Sequence, residues 1–348
     1  MSATINVSLP EIAALAAEAL RASNVSDVNA MAVARSIAAA ERDGQEFVGL
    51  SYLPTYCDHA ACGKVDGHAR PVLSELSATC IRVDACTGFA HPALSVGLPA
   101  LAAAARRSGI GVLAVGNSYA CGSLGYFVEE LAEQGLVALM FANASPSIAP
   151  YGGKIPFFGT NPLAFATPRA GEPPLVIDQS SSVVARVAVL DSQRRGLPLP
   201  TGWALDSEGQ PTSDPRAALD GSLCAIGGYK GVSLALLVDV LAAGLTGSHF
   251  SFEASSFGDC EGGPPGTGQL VIALQPALFS PDFVTRTQAL FEALQREPDV
   301  RLPGARRLAA RQRHQGGLDV PVDLWTLIGK YAREGSPLLT RRAGSSQV

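Results

Sequence analysis

The chain has no excess of positive charge, no long apolar run and no cysteine framework, and each absence removes a class of function. Lys and Arg number 26 against 31 Asp and Glu, for a net charge of −5. No basic block stands out before the C-terminal end, so nucleic acid is not the expected partner. No apolar run reaches the ~18 residues that a membrane span needs, so no membrane is expected either. The N-terminus lacks a basic stretch leading into an apolar core, so no signal peptide is read. Seven Cys is an odd number, scattered without framework spacing, and points to a reducing, cytoplasmic setting. Cys57-x-His59 with Cys62 has loose ligand-like spacing, but no second cluster completes a zinc site, so no metal is expected. Also missing are the G-x-G-x-x-G turn of ordinary Rossmann proteins, a Walker A loop, G-x-S-x-G and H-E-x-x-H.

What is present describes a large globular core. Apolar residues make up 47% of the 348 and charged residues 16%. That length holds one large domain or two to three lobes. Ser8 or Pro10 opens a first helix, with Ile12, Leu15, Ala16, Ala19 and Leu20 at helical spacing. Ser26 can cap a second, Ala-rich helix over 28–42, with Met31, Val33 and Ile37 on its apolar side. Further helices are read at 92–108, 124–134, 183–192, 232–243, 281–296 and 322–332, with a basic one ending near Arg313. Buried strands are read at 111–115, 136–142, 162–166, 175–177 and 269–274. Strands alternate with helices in the middle and helices lie at both ends, so the class is α/β. The expected division is a helical segment 1–75, an α/β core 76–275, a helical segment 276–335 completing the fold, and a disordered tail 336–348.

The stretch 151–182 organises the rest. Its two short apolar runs end in polar turns, Gly159-Thr160-Asn161-Pro162 and Asp178-Gln179-Ser180-Ser181-Ser182. Buried strands that end in such loops offer free backbone amides on a rigid scaffold, the usual setting of a binding site. An ordinary polar loop with a helix cap is the plainer alternative. Three Gly-bearing turns, at 116–122, 159–162 and 227–231, each stand between an apolar run and a helix. Glycine lets a ligand approach the backbone, and a helix N-terminus favours phosphate. With Lys230 in one turn and Arg306 and Arg307 in a late basic segment, the pattern points to a phosphate-bearing ligand.

Several strings carry a family resemblance over most of residues 8–325. They include Arg82-Val83-Asp84-Ala85-Cys86-x-Gly88-Phe89-Ala90-x-Pro92-Ala93, Ala132-Glu133-Gln134-Gly135-Leu136-Val137-Ala138-Leu139 and Gly159-Thr160-Asn161-Pro162-x-Ala164-Phe165. Gly228-x-Lys230-Gly231, Leu241-Ala242-Ala243-Gly244-Leu245-Thr246-Gly247, Phe250-Ser251-Phe252-Glu253 and Arg301-Leu302-Pro303-Gly304-x-Arg306-Arg307 continue it. The chain resembles the malate/L-lactate dehydrogenase family, which is unrelated to the Rossmann enzymes, and within it the Δ1-piperideine-2-carboxylate/Δ1-pyrroline-2-carboxylate reductases. The resemblance implies a distinctive α/β fold, a homodimer, a small-molecule substrate, and a nicotinamide cofactor delivering hydride to a 2-oxo or cyclic 2-imino acid. It favours NADPH, with NADH as the other choice. It carries cofactor contacts onto Ala120, Cys121, Gly122, Ser123 and Leu124, onto Asp178, Gln179 and Ser180, and onto Tyr229 and Lys230. Arg301, Leu302, Pro303, Gly304, Ala305, Arg306 and Arg307 complete that set, and Thr160 falls on a substrate-contact position.

The departures bear on the chemistry. Where relatives read Ser-His-Gly, with the His as proton donor, this chain reads Phe47-Val48-Gly49. The carboxylate-clamping Arg is replaced by Tyr52, the relay Asp by Ala188, and a second family His by Ala120. Reduction of C=O needs a proton at the developing alkoxide, and general acid catalysis typically contributes ~10²–10⁴-fold. Neither Phe47 nor Val48 can donate one. A C=N substrate eases the demand, because an iminium arrives protonated. The candidate replacement donors are Tyr119, His91 and Tyr52, with Tyr52 also on the substrate side. The expected function is NADPH-dependent reduction of a C=N or C=O substrate that is bulkier or less anionic than a small 2-oxo acid. An NAD-dependent 2-hydroxy-acid dehydrogenase and a cofactor-binding pseudoenzyme are the alternatives.

Overall fold

The computed structural model describes residues 3–339. The chain begins with β1 (Thr4–Val7), then α1 (Leu9–Ala22), α2 (Asp27–Arg42) and α3 (Leu53–Cys62). Ser8 and Glu11 form a reciprocal capping box at the start of α1. Ser26 stands at the N-cap of α2 without a side-chain cap bond. Val33 and Ile37 are buried as the pattern predicts, but Met31 is 36% exposed and lies off the buried stripe.

The main sheet is built from β2 (Val72–Glu75), β3 (Cys80–Asp84), β4 (Ile110–Ser118), β5 (Val137–Ala142), β6 (Leu163–Thr167) and β7 (Leu175–Gln179), with α4 (Ala90–Ser108) after β3 and α5 (Leu124–Glu133) after β4. A smaller unit follows: α6 (Arg186–Arg195), β8 (Ala204–Leu205), β9 (Pro211–Thr212), α7 (Pro215–Asp220), β10 (Ser222–Leu223) and α8 (Tyr229–Asp239). β11 (Thr267–Leu274) returns to the main sheet. α9 (Pro276–Phe279), α10 (Phe283–Leu294), α11 (Ala305–Arg313), β12 (Leu318–Pro321) and α12 (Val322–Glu334) close the chain.

The seven-stranded order is β2-β3-β4-β11-β5-β6-β7. Only β3 and β4 run parallel, joined through α4; the other pairs are antiparallel. The fold is α/β with a mixed sheet. α4 and α5 cover one face, packing Leu94, Leu101, Val128 and Leu131 against Leu113, Val115, Met140 and Val271. β1 pairs with β12, and both ends of the chain share one core through Ile12, Leu20, Leu53, Val320 and Ile328. The stretches 1–75 and 276–335 are therefore joined across the molecule. A third core, with Ile148, Val189, Leu199, Leu223 and Ala235, belongs to the smaller unit.

The tail expectation is corrected in its first part. Ser336 is buried, and its hydroxyl donates to Asp58 at 2.6 Å. Residues 340–348 lie outside the described residues.

Candidate active site

A cavity of about 560 Å³ opens where the three cores meet, within the ~300–1,000 Å³ typical of small-molecule sites. The helical part contributes Phe47, Val48, Tyr52 and Tyr56. The strand ends contribute Ala142, Thr160 and Gln269. The smaller unit contributes Arg186, Leu190 and Asp220. Thr160 is held there by its neighbour Asn161, which is fully buried. The Asn161 amide donates to the Ala235 carbonyl at 2.8 Å and its Oδ1 accepts from the Ala144 amide at 3.2 Å. A Cβ on Gly159 would collide with the Ala144 carbonyl, so the turn requires glycine.

Three of the four expected cofactor segments converge. Asp178, which the sequence places in a polar turn, is the next-to-last residue of β7. Its carboxylate accepts from the Gly125 amide at 2.7 Å and the Ser123 hydroxyl at 2.9 Å, tying that strand end to the first turn of α5. Burial raises its pKa, while those two donors and Arg307 pull the other way. Gly304 packs on the β7 backbone, a Cβ there lying 3.1 Å from the Val176 carbonyl. Ala120, Cys121, Gly122, Leu124 and Ser180 line the cavity; Ser123 and Asp178 bond each other beside it, and Gln179 is exposed and outside the lining. The fourth segment follows Ile226, whose amide donates to the Ser181 carbonyl at 2.9 Å. Tyr229 there is 57% exposed, its ring edge-on to Tyr151. Lys230, Arg301 and Arg306 are exposed and make no ion pair among the described residues.

Arg307 departs from the expected free cation. It is 7% exposed, and its Nη2 donates to Glu129 at 3.0 Å. Arg311 clamps Asp43 and Glu129 beside it, at 2.6 and 2.5 Å. The charge of Arg307 is thus spent inside the protein.

Two of the three candidate proton donors do not reach the cavity wall. Tyr119 is fully enclosed among Tyr56, Phe89 and Phe257. His91 is the second residue of α4 and lies on the far side of the turn at 121–122, facing a smaller cavity with Arg35, Tyr126 and Glu130. Burial pushes its pKa down to about 4, and it does not reach the cavity lining. Tyr52 alone of the three lines the cavity. Phe47 and Val48 line it too, as apolar wall, whereas Ala188 does not.

Two groups escape the sequence reading. Among the described residues Arg186 is the only Lys, Arg or His lining the cavity, and its Nη2 donates to the Leu219 carbonyl at 3.3 Å. Burial lowers its pKa and nearby Asp220 opposes that shift. Its only sequence signal is a cation just after the loop 178–182, which no spacing marks as special. His59, weighed only as a metal ligand, shares a hydrogen bond through Nδ1 with the Tyr119 hydroxyl. No group of three or more His, Cys, Asp or Glu is placed to hold a metal among the described residues.

A mixed sheet without a Rossmann turn, with a largely apolar cavity beside a carboxylate-tied helix N-terminus, defines a non-Rossmann α/β protein built for a small ligand. The chain belongs to the malate/L-lactate dehydrogenase family, whose profile matches residues 7–328. It is 48% identical over 326 residues to the (2R)-3-sulfolactate dehydrogenase (NADP(+)) of Chromohalobacter salexigens, covering 94% of this chain and 98% of that one. It is 40% identical to the Δ1-pyrroline-2-carboxylate/Δ1-piperideine-2-carboxylate reductase of Pseudomonas putida, covering 89% and 92%. The crystal structure of Δ1-piperideine-2-carboxylate reductase from Pseudomonas syringae pvar. tomato superposes with a TM-score of 0.90 at 38% identity, covering 94% of this chain and 100% of that one.

Proposed function

We propose that the chain is an NADPH-dependent reductase acting on the C=N or C=O group of a small substrate that carries an anionic group. The observation that carries this reading is the cavity of about 560 Å³, lined by the turn 120–122, Thr160 and Ser180 and holding Arg186. The start of α5, the end of β7 and the segment 301–307 fit a dinucleotide. The first offers a helix N-terminus, and the last offers Arg301 and Arg306 free of carboxylates. Those arginines and Lys230 suit phosphate oxygens, a 2′-phosphate among them. NADPH, when bound, supplies the hydride. Arg186 anchors a carboxylate or sulfonate of the substrate, a role that Tyr52 cannot take over from the family's Arg. Thr160 offers a hydroxyl to the same substrate. The aromatic wall of Tyr52, Tyr56 and Phe257 excludes water from one side. We therefore read the substrate as anionic, held by Arg186 from the smaller unit, where the sequence reading expected a bulkier or less anionic one.

A second reading, oxidation of a 2-hydroxy acid bearing a sulfonate, is favoured by the likeness to the sulfolactate enzyme. We also read the chain as a homodimer, as the family resemblance implies. Leu236, Leu237, Val240 and Leu245 stand 51%, 47%, 50% and 63% exposed along α8 and its extension and support that reading.

The test is NADPH fluorescence on titration, then NADPH oxidation with Δ1-piperideine-2-carboxylate, Δ1-pyrroline-2-carboxylate, pyruvate and 3-sulfopyruvate. NADP(+) reduction with (2R)-3-sulfolactate tests the second reading. Hydrogen bonds to charged groups contribute ~1.5–3 kcal/mol, so Arg186→Met should raise KM roughly 10–150-fold while NADPH affinity holds. Binding without turnover on any substrate would leave a cofactor-binding pseudoenzyme. No binding of NADPH or NADH would overturn the reading altogether.

A further inference from the structure

The positions that carry protons in the family are apolar here: Phe47, Val48 and Ala188. A different set of proton-bearing groups meets the same cavity. Tyr52 lines it, and its hydroxyl is hydrogen-bonded to that of Tyr119. The Tyr119 hydroxyl is hydrogen-bonded in turn to Nδ1 of His59. Tyr119 is 0% and His59 2% exposed, so water does not compete for these bonds. Tyr56, Phe89 and Phe257 pack edge-on around the Tyr119 ring and fix its direction. The His59 imidazole also donates to the Asp259 carbonyl, and the Asp259 side chain is half exposed. Two hydroxyls and an imidazole thus form one line from the cavity wall to a surface loop.

We propose that Tyr52, Tyr119 and His59 form the proton path that replaces the missing relay. The inference rests on the reductase reading above. Tyr52 touches the substrate and is the catalytic acid; Tyr119 and His59 act through it as positioning and recharging groups. During reduction the Tyr52 O–H bond breaks and a new O–H or N–H bond forms on the substrate heteroatom that gains negative charge. The Tyr119 proton moves to Tyr52, and the Nδ1 proton of a His59 imidazolium moves to Tyr119. His59 is left neutral, its other N–H still on the Asp259 carbonyl. Water reloads it past Asp259, so one proton is taken from solvent per turnover. Oxidation runs the same transfers in reverse. Burial, with Lys64 adding to it, pushes the His59 pKa down to about 4 while Asp58 and Asp259 oppose the shift, so near neutral pH the imidazolium forms only in passing. Cys62 lies close by in α3, Cys260 next to Asp259, and the Tyr331 hydroxyl caps Asp58. Loading of His59 makes reduction faster as pH falls toward about 4.

The test uses the substrate that the wild-type chain reduces. With Tyr119→Phe, kcat should fall within the ~10²–10⁴-fold range of general acid catalysis, with KM and NADPH affinity unchanged. The proton inventory in mixed H₂O and D₂O should be curved for the wild type and linear for the variant. His59→Gln, which keeps a partner for Tyr119 but carries no titrating proton, should give the same linear inventory and lose the pH dependence. It also covers the case in which Tyr119→Phe fails to fold. With five His in the chain, ¹⁵N-histidine NMR resolves His59, whose Nδ1 resonance should move on Tyr119→Phe even without substrate. Retained kcat and curvature in both variants, or an unmoved His59 resonance, would overturn the relay. Absence of turnover in the wild type marks failure of the reductase reading instead.

Discussion

Glu41 is 5% exposed, and its carboxylate accepts from the Leu50 amide at 2.6 Å, holding the loop that carries Phe47, Val48 and Tyr52. A Cβ on Gly49 would collide with that carboxylate, so any side chain there must displace it. Burial raises the Glu41 pKa from 4.5 to about 7; the Leu50 amide opposes the shift and Glu46 adds to it. Between those two values the folded chain keeps a proton that the unfolded chain has released. Stability therefore falls as pH rises through this window, by at most ~3 kcal/mol at 1.36 kcal/mol per unit. Glu41→Gln keeps the acceptor and removes the charge. It should match the wild type near pH 4 and be more stable at pH 8, read from urea unfolding across that range.

At the scale of elements, α11 is fastened to α2 and α5 by charge. Arg311 bonds Asp43 through Nε at 2.6 Å and Glu129 through Nη2 at 2.5 Å, and Arg307 adds Glu129 at 3.0 Å. Burial pushes the Asp43 carboxyl up, but Arg311 and Arg42 outweigh it and hold it below the usual range. Its contribution is present above the unfolded value of ~3.9 and is lost as pH falls below it. Arg311→Met leaves two buried carboxylates short of a partner and should cost ~3–5 kcal/mol. Arg311→Met with Glu129→Leu should recover part of that loss in urea unfolding. Most elements were legible in the sequence, because apolar spacing and caps are local: Ser8 with Glu11 opens α1, and Gly109 closes α4. β1 was not, because its partner β12 lies more than 300 positions away.

Across the whole molecule, the cavity is walled by all three cores, so a ligand bound there braces each of them. NADPH at 100 times its Kd should stabilise the fold by ~2.7 kcal/mol, seen as a rise in Tm. The homodimer reading predicts twice the 35.9 kDa chain mass by light scattering. Leu237→Glu with Val240→Glu should shift the chain toward monomer, since charge on a buried apolar interface is unfavourable.

The sequence by itself determined the family, the α/β class and the turns at 116–122 and 159–162. These are written in contiguous strings, where neighbours in the chain are neighbours in space. Only the tertiary structure decided which side chains share the cavity. Arg307 reads as a free cation until Glu129 is folded against it. Arg186 reads as a helix-surface residue until it is seen lining the cavity. His59 and Tyr119 stand sixty positions apart and become one hydrogen-bonded line only when α3 packs on the end of β4. Long-range burial sets the charge state and partner of each group, and no local pattern encodes it.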